Sequence, residues 1–264
     1  MRSLCLSVVA ALSLSIVAAC GDSGDTSGTS SNGGSGGGGT AQPACTDPTP
    51  VPCEDQVVLQ MNLKSTPTDT GITNTTEGAG FVSLIDATAG GPFSTDPTSY
   101  TYGRFTDDGL VKVDISDEDS LDSMDWDIAF RRYVGRINSG HSGPSCVTAA
   151  RLPGTPDYDA LSAEPDNLTF RADNYFTESC ELIPDGSGLE GSPATALSSY
   201  WSYPGCVAMT GNVYVLELAS GRKLKLTVTS FYNDDVQQQC DTQGTIPMTN
   251  TGSGVLRVRW AFLQ

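Results

Sequence analysis

Apolar and polar residues alternate with a period of two along several short stretches of this chain. That spacing sets one face of a β-strand against a core and the other toward water. Residues 57–63 (Val-Val-Leu-Gln-Met-Asn-Leu) are the first such stretch and are expected to form a strand, as are residues 81–85. Residues 100–105 and 110–115 flank Asp107-Asp108-Gly109, whose Asp-Gly step suits a hairpin turn. Trp126, Ile128, Phe130 and Arg132 alternate with Asp127, Ala129, Arg131 and Tyr133. A second hairpin is predicted from residues 213–218 and 223–228, joined by Ala219-Ser220-Gly221-Arg222, and residues 255–262 give a last strand. Lys223, Lys225, Arg257 and Arg259 occupy alternate positions, so these strands should each keep one polar face.

Between residues 135 and 203 the alternation fades into a stretch rich in Pro, Gly, Asp and Ser. We read it as a long, partly irregular insert pinned by disulfides. Helical spacing is confined to possible short turns at residues 116–124 and 195–200, and there is no internal repeat. The pattern as a whole predicts an all-β fold: a single antiparallel β-sheet domain over residues 45–264, about 220 residues, interrupted by that insert.

The N-terminal end follows different rules. After Met1-Arg2, residues 4–19 are almost wholly apolar, the length of a signal-peptide core and short for a bilayer span. They end in Val17-Ala18-Ala19-Cys20, which resembles the lipobox of bacterial lipoproteins. The resemblance implies a signal peptide over residues 1–19, with Cys20 acylated as the mature N-terminus. Residues 20–44 would then be a lipidated cysteine followed by a tether of Gly, Ser, Thr and Asp, too poor in large apolar side chains to fold. Gly21 stands where lipoproteins retained in the inner membrane carry Asp, so outer-membrane anchoring is expected. The membrane would be reached through lipid alone, placing the domain in the cell envelope.

Composition narrows the chemistry. The 264 residues carry 14 Lys+Arg against 31 Asp+Glu, a net charge of -17, which argues against nucleic-acid binding through phosphate neutralisation. Of the 8 cysteines, Cys5 leaves with the signal and Cys20 takes lipid. Cys45, Cys53, Cys146, Cys180, Cys206 and Cys240 remain, an even set that in an oxidising compartment reads as three disulfides of undetermined connectivity. Cys45 and Cys53 could close a local loop where the tether meets the domain. Zinc and covalent c-type haem are disfavoured by the absence of any C-x-x-C spacing.

Two local motifs invite function. The acidic run from Asp114 to Asp127 suggests calcium, but Asp119 stands where an EF-hand loop needs Gly and Asp125 where it needs Glu. A solvated acidic loop with a helical turn is the expectation. His141, the only histidine, lies in Asn138-Ser139-Gly140-His141-Ser142-Gly143. The G-x-S-x-G elbow is absent, so we expect a surface-loop histidine and no enzyme.

The segment from Asp125 to Tyr133 (Asp-Trp-Asp-Ile-Ala-Phe-Arg-Arg-Tyr), followed by Arg136-Ile137-Asn138-Ser139-Gly140, resembles the signature of HmuY-like proteins, a W-D-I-A-F-x-R strand leading to an N-S/G-G turn. Tyr214 in its strand, the Gly221-Arg222-Lys223 turn, Ser230-Phe231-Tyr232 and the closing strand agree in order, over roughly residues 57–262. The resemblance implies an outer-membrane lipoprotein that binds haem and passes it to an outer-membrane receptor, with the iron held by two histidines or by methionines. With one histidine, paired-histidine ligation within a single chain is impossible, so His141 and Met209 become the expected iron ligands. The alternative is a surface structural or interaction lipoprotein that has lost haem. Tyr200-Trp201-Ser202-Tyr203 would then be its contact patch, if those rings are exposed rather than packed in the core.

Overall fold

The structure, a computed structural model, describes residues 45–88 and 98–264. The expected signal peptide, lipidated Cys20 and tether fall outside the described residues. The elements run α1 (Glu54–Gln60), β1 (Ile72–Glu77), β2 (Gly80–Asp86), β3 (Thr101–Thr106), β4 (Gly109–Val113), β5 (Ile128–Arg131), β6 (Val134–Ile137) and β7 (Thr148–Arg151). They continue with β8 (Trp201–Ser202), β9 (Ala208–Met209), β10 (Val213–Glu217), β11 (Lys223–Ser230), α2 (Asp234–Gln243) and β12 (Val255–Phe262).

The fold is mostly antiparallel β, and its strands divide between sheets. One has six strands in the order β1-β2-β12-β11-β10-β7 and another has four, β4-β3-β5-β6; β8 and β9 make a small ribbon. Both predicted hairpins form, β3–β4 and β10–β11. The first closes on Thr106 opposite Gly109, whose φ of 128° is open to glycine and whose missing Cβ leaves room for the Asn74 side chain.

The two larger sheets meet through one core. Leu224, Leu226, Val258 and Trp260 of the six-stranded sheet pack with Phe105, Ile128 and Phe130 of the four-stranded one, and the Phe105 and Trp260 rings meet edge-on at 4.8 Å. Burying a Phe130-sized side chain contributes on the order of 2–3 kcal/mol. Alternation then sends Tyr102 and Ala129 to the opposite face of the smaller sheet, into a second cluster with Val57, Met61, Tyr175 and Phe176, which Trp126, just before β5, joins. A third cluster, Leu152, Val213 and Val215 with Tyr158, Leu161 and Phe170 against it, covers part of the outer face of the larger sheet. That face is therefore not simply polar: Lys225 lies over the Tyr158 ring at 4.4 Å, and Lys223 bonds Glu164 at 2.7 Å.

Several expectations need correction. Residues 54–60 are a helix, not the start of a strand. Val57 and Met61, four apart, are both buried on one side, and Glu54 and Asp55 suit the positive end of the helix dipole. A second helix, α2, was not anticipated. The acidic run is not wholly solvated: Asp117 is completely buried and accepts hydrogen bonds from Tyr100 N at 2.7 Å and Tyr102 Oη at 2.9 Å. The expected helical turns do occur, at Asp119–Leu121 and Ser198–Tyr200. Cys53 bonds Cys180, not Cys45, and Cys206 bonds Cys240. The insert is thus pinned by Cys180, and of the six domain cysteines Cys45 and Cys146 are the two that neither bridge includes.

Candidate functional site

The Trp126-to-Tyr133 segment ends in a tight hairpin. β5 pairs with β6 through Arg131 opposite Val134, leaving Arg132 and Tyr133 as the two turn residues. Arg132 takes φ 51°, in the left-handed region, and its N–H bonds Ala87 O at 2.7 Å. A side chain at such a φ costs on the order of 1 kcal/mol, so tertiary contacts hold this turn in place.

Arg132 and Tyr133 line a cleft of ≈ 710 Å³ together with Tyr203, Phe231, Tyr232 and Met248. The wall formed by Phe231 and Tyr232 is fixed from α2. The buried Gln237 side chain accepts the N–H groups of Phe231 (2.8 Å) and Tyr232 (3.2 Å) and donates to Val207 O at 3.1 Å and Asp241 Oδ1 at 2.8 Å. Val207 in turn donates its N–H to Tyr232 Oη at 3.1 Å. The Cys206–Cys240 bridge ties α2 to the same segment. Tyr133 packs against Trp201 at 5.0 Å and Phe231 at 6.4 Å. Burial pushes the Tyr133 and Tyr232 hydroxyls above the ordinary tyrosine pKa, so both stay protonated at neutral pH. Met248 is 92% exposed and brings a thioether to the rim.

A roomier depression of ≈ 940 Å³ lies beside α1 and the Cys53–Cys180 bridge. Its lining includes Glu54, Asp55 and Glu181, which disfavours any anionic ligand.

His141 is buried, not on the surface as expected. Its Nδ1 accepts the N–H of Tyr175 (3.1 Å) and lies 3.3 Å from the N–H of Phe176, and its ring packs 5.4 Å from both rings. Burial lowers its pKa, favouring the neutral imidazole. Ser142 donates to Asp173, at 2.6 Å, and a ring nitrogen that accepts from the backbone cannot donate to an orienting carboxylate. Ser142, His141 and Asp173 are therefore wired as a structural lattice, with no nucleophile-to-base relay.

That lattice continues to Arg136, also completely buried. Its Nη2 donates to Ser142 O at 2.7 Å and its Nη1 to Tyr102 Oη at 3.1 Å. Met209, half-buried on β9, packs against the first core cluster, whereas His141 sits among rings of the second. Among the described residues, neither lines the cleft. Of the aromatic patch, Tyr200 and Trp201 are buried and Tyr203 is exposed at the cleft.

None of the curated proteins compared with the chain matches it. Solved structures do. A candidate HmuY-like heme binding protein from Bacteroides vulgatus is 17% identical with a TM-score of 0.45, covering 73% of this chain and 97% of that one. A candidate lipoprotein from Bacteroides fragilis is 15% identical with a TM-score of 0.40, covering 73% and 96%. The apo form of a Tannerella forsythia HmuY analog is 13% identical with a TM-score of 0.39, covering 75% and 98%. The family described as HmuY protein matches residues 96–243, more than half of the sequence and the span that holds the signature hairpin. The chain belongs to the HmuY family.

Proposed function

We propose that this protein is a lipid-anchored envelope protein that binds haem or a related tetrapyrrole in the cleft beside the signature hairpin. The observation that carries the reading is the cleft's lining, in a chain of this family. A haem presents a flat apolar ring, an iron and two carboxylates. The cleft offers Tyr133, Tyr203, Phe231 and Tyr232 for the ring, the Met248 thioether as a soft donor, and Arg132 as a cation for a carboxylate. Because burial holds the protons on Tyr133 and Tyr232, Met248 is a better ligand there than either; a tyrosine binds iron as phenolate. Bound haem would supply a chromophore and a redox-active iron. The protein's part is to desolvate the ring and orient it.

Titrating the purified protein with hemin tests this. A Soret shift at micromolar hemin, reduced at least tenfold in affinity by Met248→Ala and unaffected by His141→Ala and Met209→Ala, supports the cleft. Loss of the band in His141→Ala or Met209→Ala, with Met248→Ala unaffected, moves the iron to the pair expected from sequence. No shift in the wild type removes haem from the reading and favours the interaction lipoprotein. Anchoring rests on Cys20 and is read separately: labelled palmitate should enter the wild-type chain and fail to enter Cys20→Ser. Delivery to an outer-membrane receptor is the partner this reading implies.

A further inference from the structure

We infer that Cys45 and Cys146 form a third disulfide, which locks the start of the domain onto the loop preceding β7. Sheet register brings them together. Thr148 of β7 pairs with Glu217 of β10, so two residues further along this antiparallel pair Cys146 comes level with Ala219. Cys45 donates its N–H to Ala219 O at 2.9 Å. Both cysteines thus flank one residue, and burial together with the neighbouring Cys45 pushes the Cys146 thiol up to about 12. A second tie runs alongside, from Thr49 N to Pro144 O at 2.8 Å, so residues 45–49 follow residues 144–146. The other four domain cysteines are already joined as Cys53–Cys180 and Cys206–Cys240, which leaves these two for each other. Cys146 is exposed and Cys45 partly so, which keeps the pair open to an oxidant.

The oxidant required is a disulfide-bearing oxidoreductase of the kind found in oxidising compartments. The thiolate of Cys45 attacks one sulfur of that disulfide, forming a mixed disulfide and expelling the other oxidant sulfur as a thiolate. The thiolate of Cys146 then attacks the Cys45 sulfur and expels the remaining oxidant thiolate. Two electrons pass to the oxidant. The two protons lost by the cysteines end on its thiols. The product fixes the chain at the point where the predicted tether ends, so tension on the tether would be borne by the β7–β10 pair and not by the turns after Cys45.

The test uses the full chain, exported to an oxidising envelope, alkylated without reduction, digested and mapped by mass spectrometry. The expected result is a cross-linked pair of peptides holding Cys45 and Cys146, with no alkylation at either. In Cys146→Ser a single new alkylated site should appear, at Cys45. Wild-type peptides alkylated at both positions, or either cysteine joined to a different one, overturn the inference. The wild-type map decides the matter even if the variant does not fold.

Discussion

Ser142 Oγ donates to Asp173 Oδ2 at 2.6 Å, and the carboxylate it meets is fully buried. Asp173 also accepts the N–H groups of Ile137 at 2.9 Å and Ala196 at 2.7 Å, joining the β6 strand to the far end of the insert. Burial outweighs these bonds and pushes its pKa up to about 6. The folded state therefore holds a proton more tightly than the unfolded chain. The stabilisation this gives is complete below about pH 4 and is lost as pH rises through about 6. Asp127, which accepts Phe105 N at 2.8 Å, is raised to about 6 with the same sign. Each contributes about 2–3 kcal/mol. Urea unfolding of the wild type and Asp173→Asn at pH 5 and pH 7.5 should show a larger loss of stability with rising pH in the wild type. Equal pH dependence in the two proteins would contradict it.

Arg136 is the cation of the same lattice, with Asp117 and Asp173 both contributing to its electrostatic environment. Arg136→Ala should destabilise the domain by about 3–5 kcal/mol, because it strands buried carboxylates and the Tyr102 hydroxyl. Arg136→Lys should recover only part of this, since an ammonium cannot reproduce the forked contacts to Ser142 and Tyr102. Denaturant midpoints measure both.

The Cys206–Cys240 bridge holds α2 beside the cleft wall. Replacing both cysteines with Ala should cost about 2–4 kcal/mol. The loss should concentrate near α2, with faster amide exchange at Gln237 and Phe231 and little change at Leu224 or Leu226. Uniform acceleration across the domain would place the bridge's effect elsewhere.

Gly143 sits where a Cβ would overlap Asn138 Oδ1 and approach the Trp126 ring. Asn138 donates to Ser123 O at 2.9 Å and Trp126 O at 2.8 Å, and accepts Ser145 N at 3.1 Å. Gly143→Ala should displace that amide and lower stability by about 2–3 kcal/mol, seen as a reduced melting temperature.

Arg132→Gly separates backbone from ligand. Relief of the left-handed conformation should offset lost side-chain contacts, so stability changes by less than about 1 kcal/mol. Hemin affinity should fall, and the deficit should shrink at high salt as screening weakens the wild-type attraction. A variant with unchanged affinity would remove Arg132 from the ligand's surroundings.

The strands were legible because alternation survives wherever one face meets the core: Phe81 to Ile85, both hairpins and the closing strand all appear where expected. Residues 57–63 misled because a short apolar run fits either period. The acidic start at Glu54 and Asp55 was the signal that favoured a helix. The α2 helix has few apolar residues, yet Asp234-Asp235 in its first turn and Gly244 after it, at φ 68°, mark its ends. The cleft could not have been read locally. Tyr133, Tyr203, Tyr232 and Met248 are far apart in the chain and converge only through sheet topology. His141 misled for a related reason: its loop is polar, but Tyr175 and Phe176, contributed by the insert, close over it.

The two rims of the larger sheet differ in how they are closed to other chains. β7 is covered, since Ala149 and Arg171 exchange backbone bonds of 3.0 and 2.9 Å. β1 lies against β4, where the Asn74 side chain donates to Leu110 O at 3.0 Å and accepts Leu110 N at 3.1 Å, and its Thr-Asn-Thr-Thr-Glu run is exposed and carries no large apolar side chain. An unguarded rim would offer a template for strand addition between copies. Crowding such molecules on a surface would then favour filaments. Here one rim is bridged by the insert and the other is polar and tied to β4, so neither presents a second copy with an apolar strand to extend.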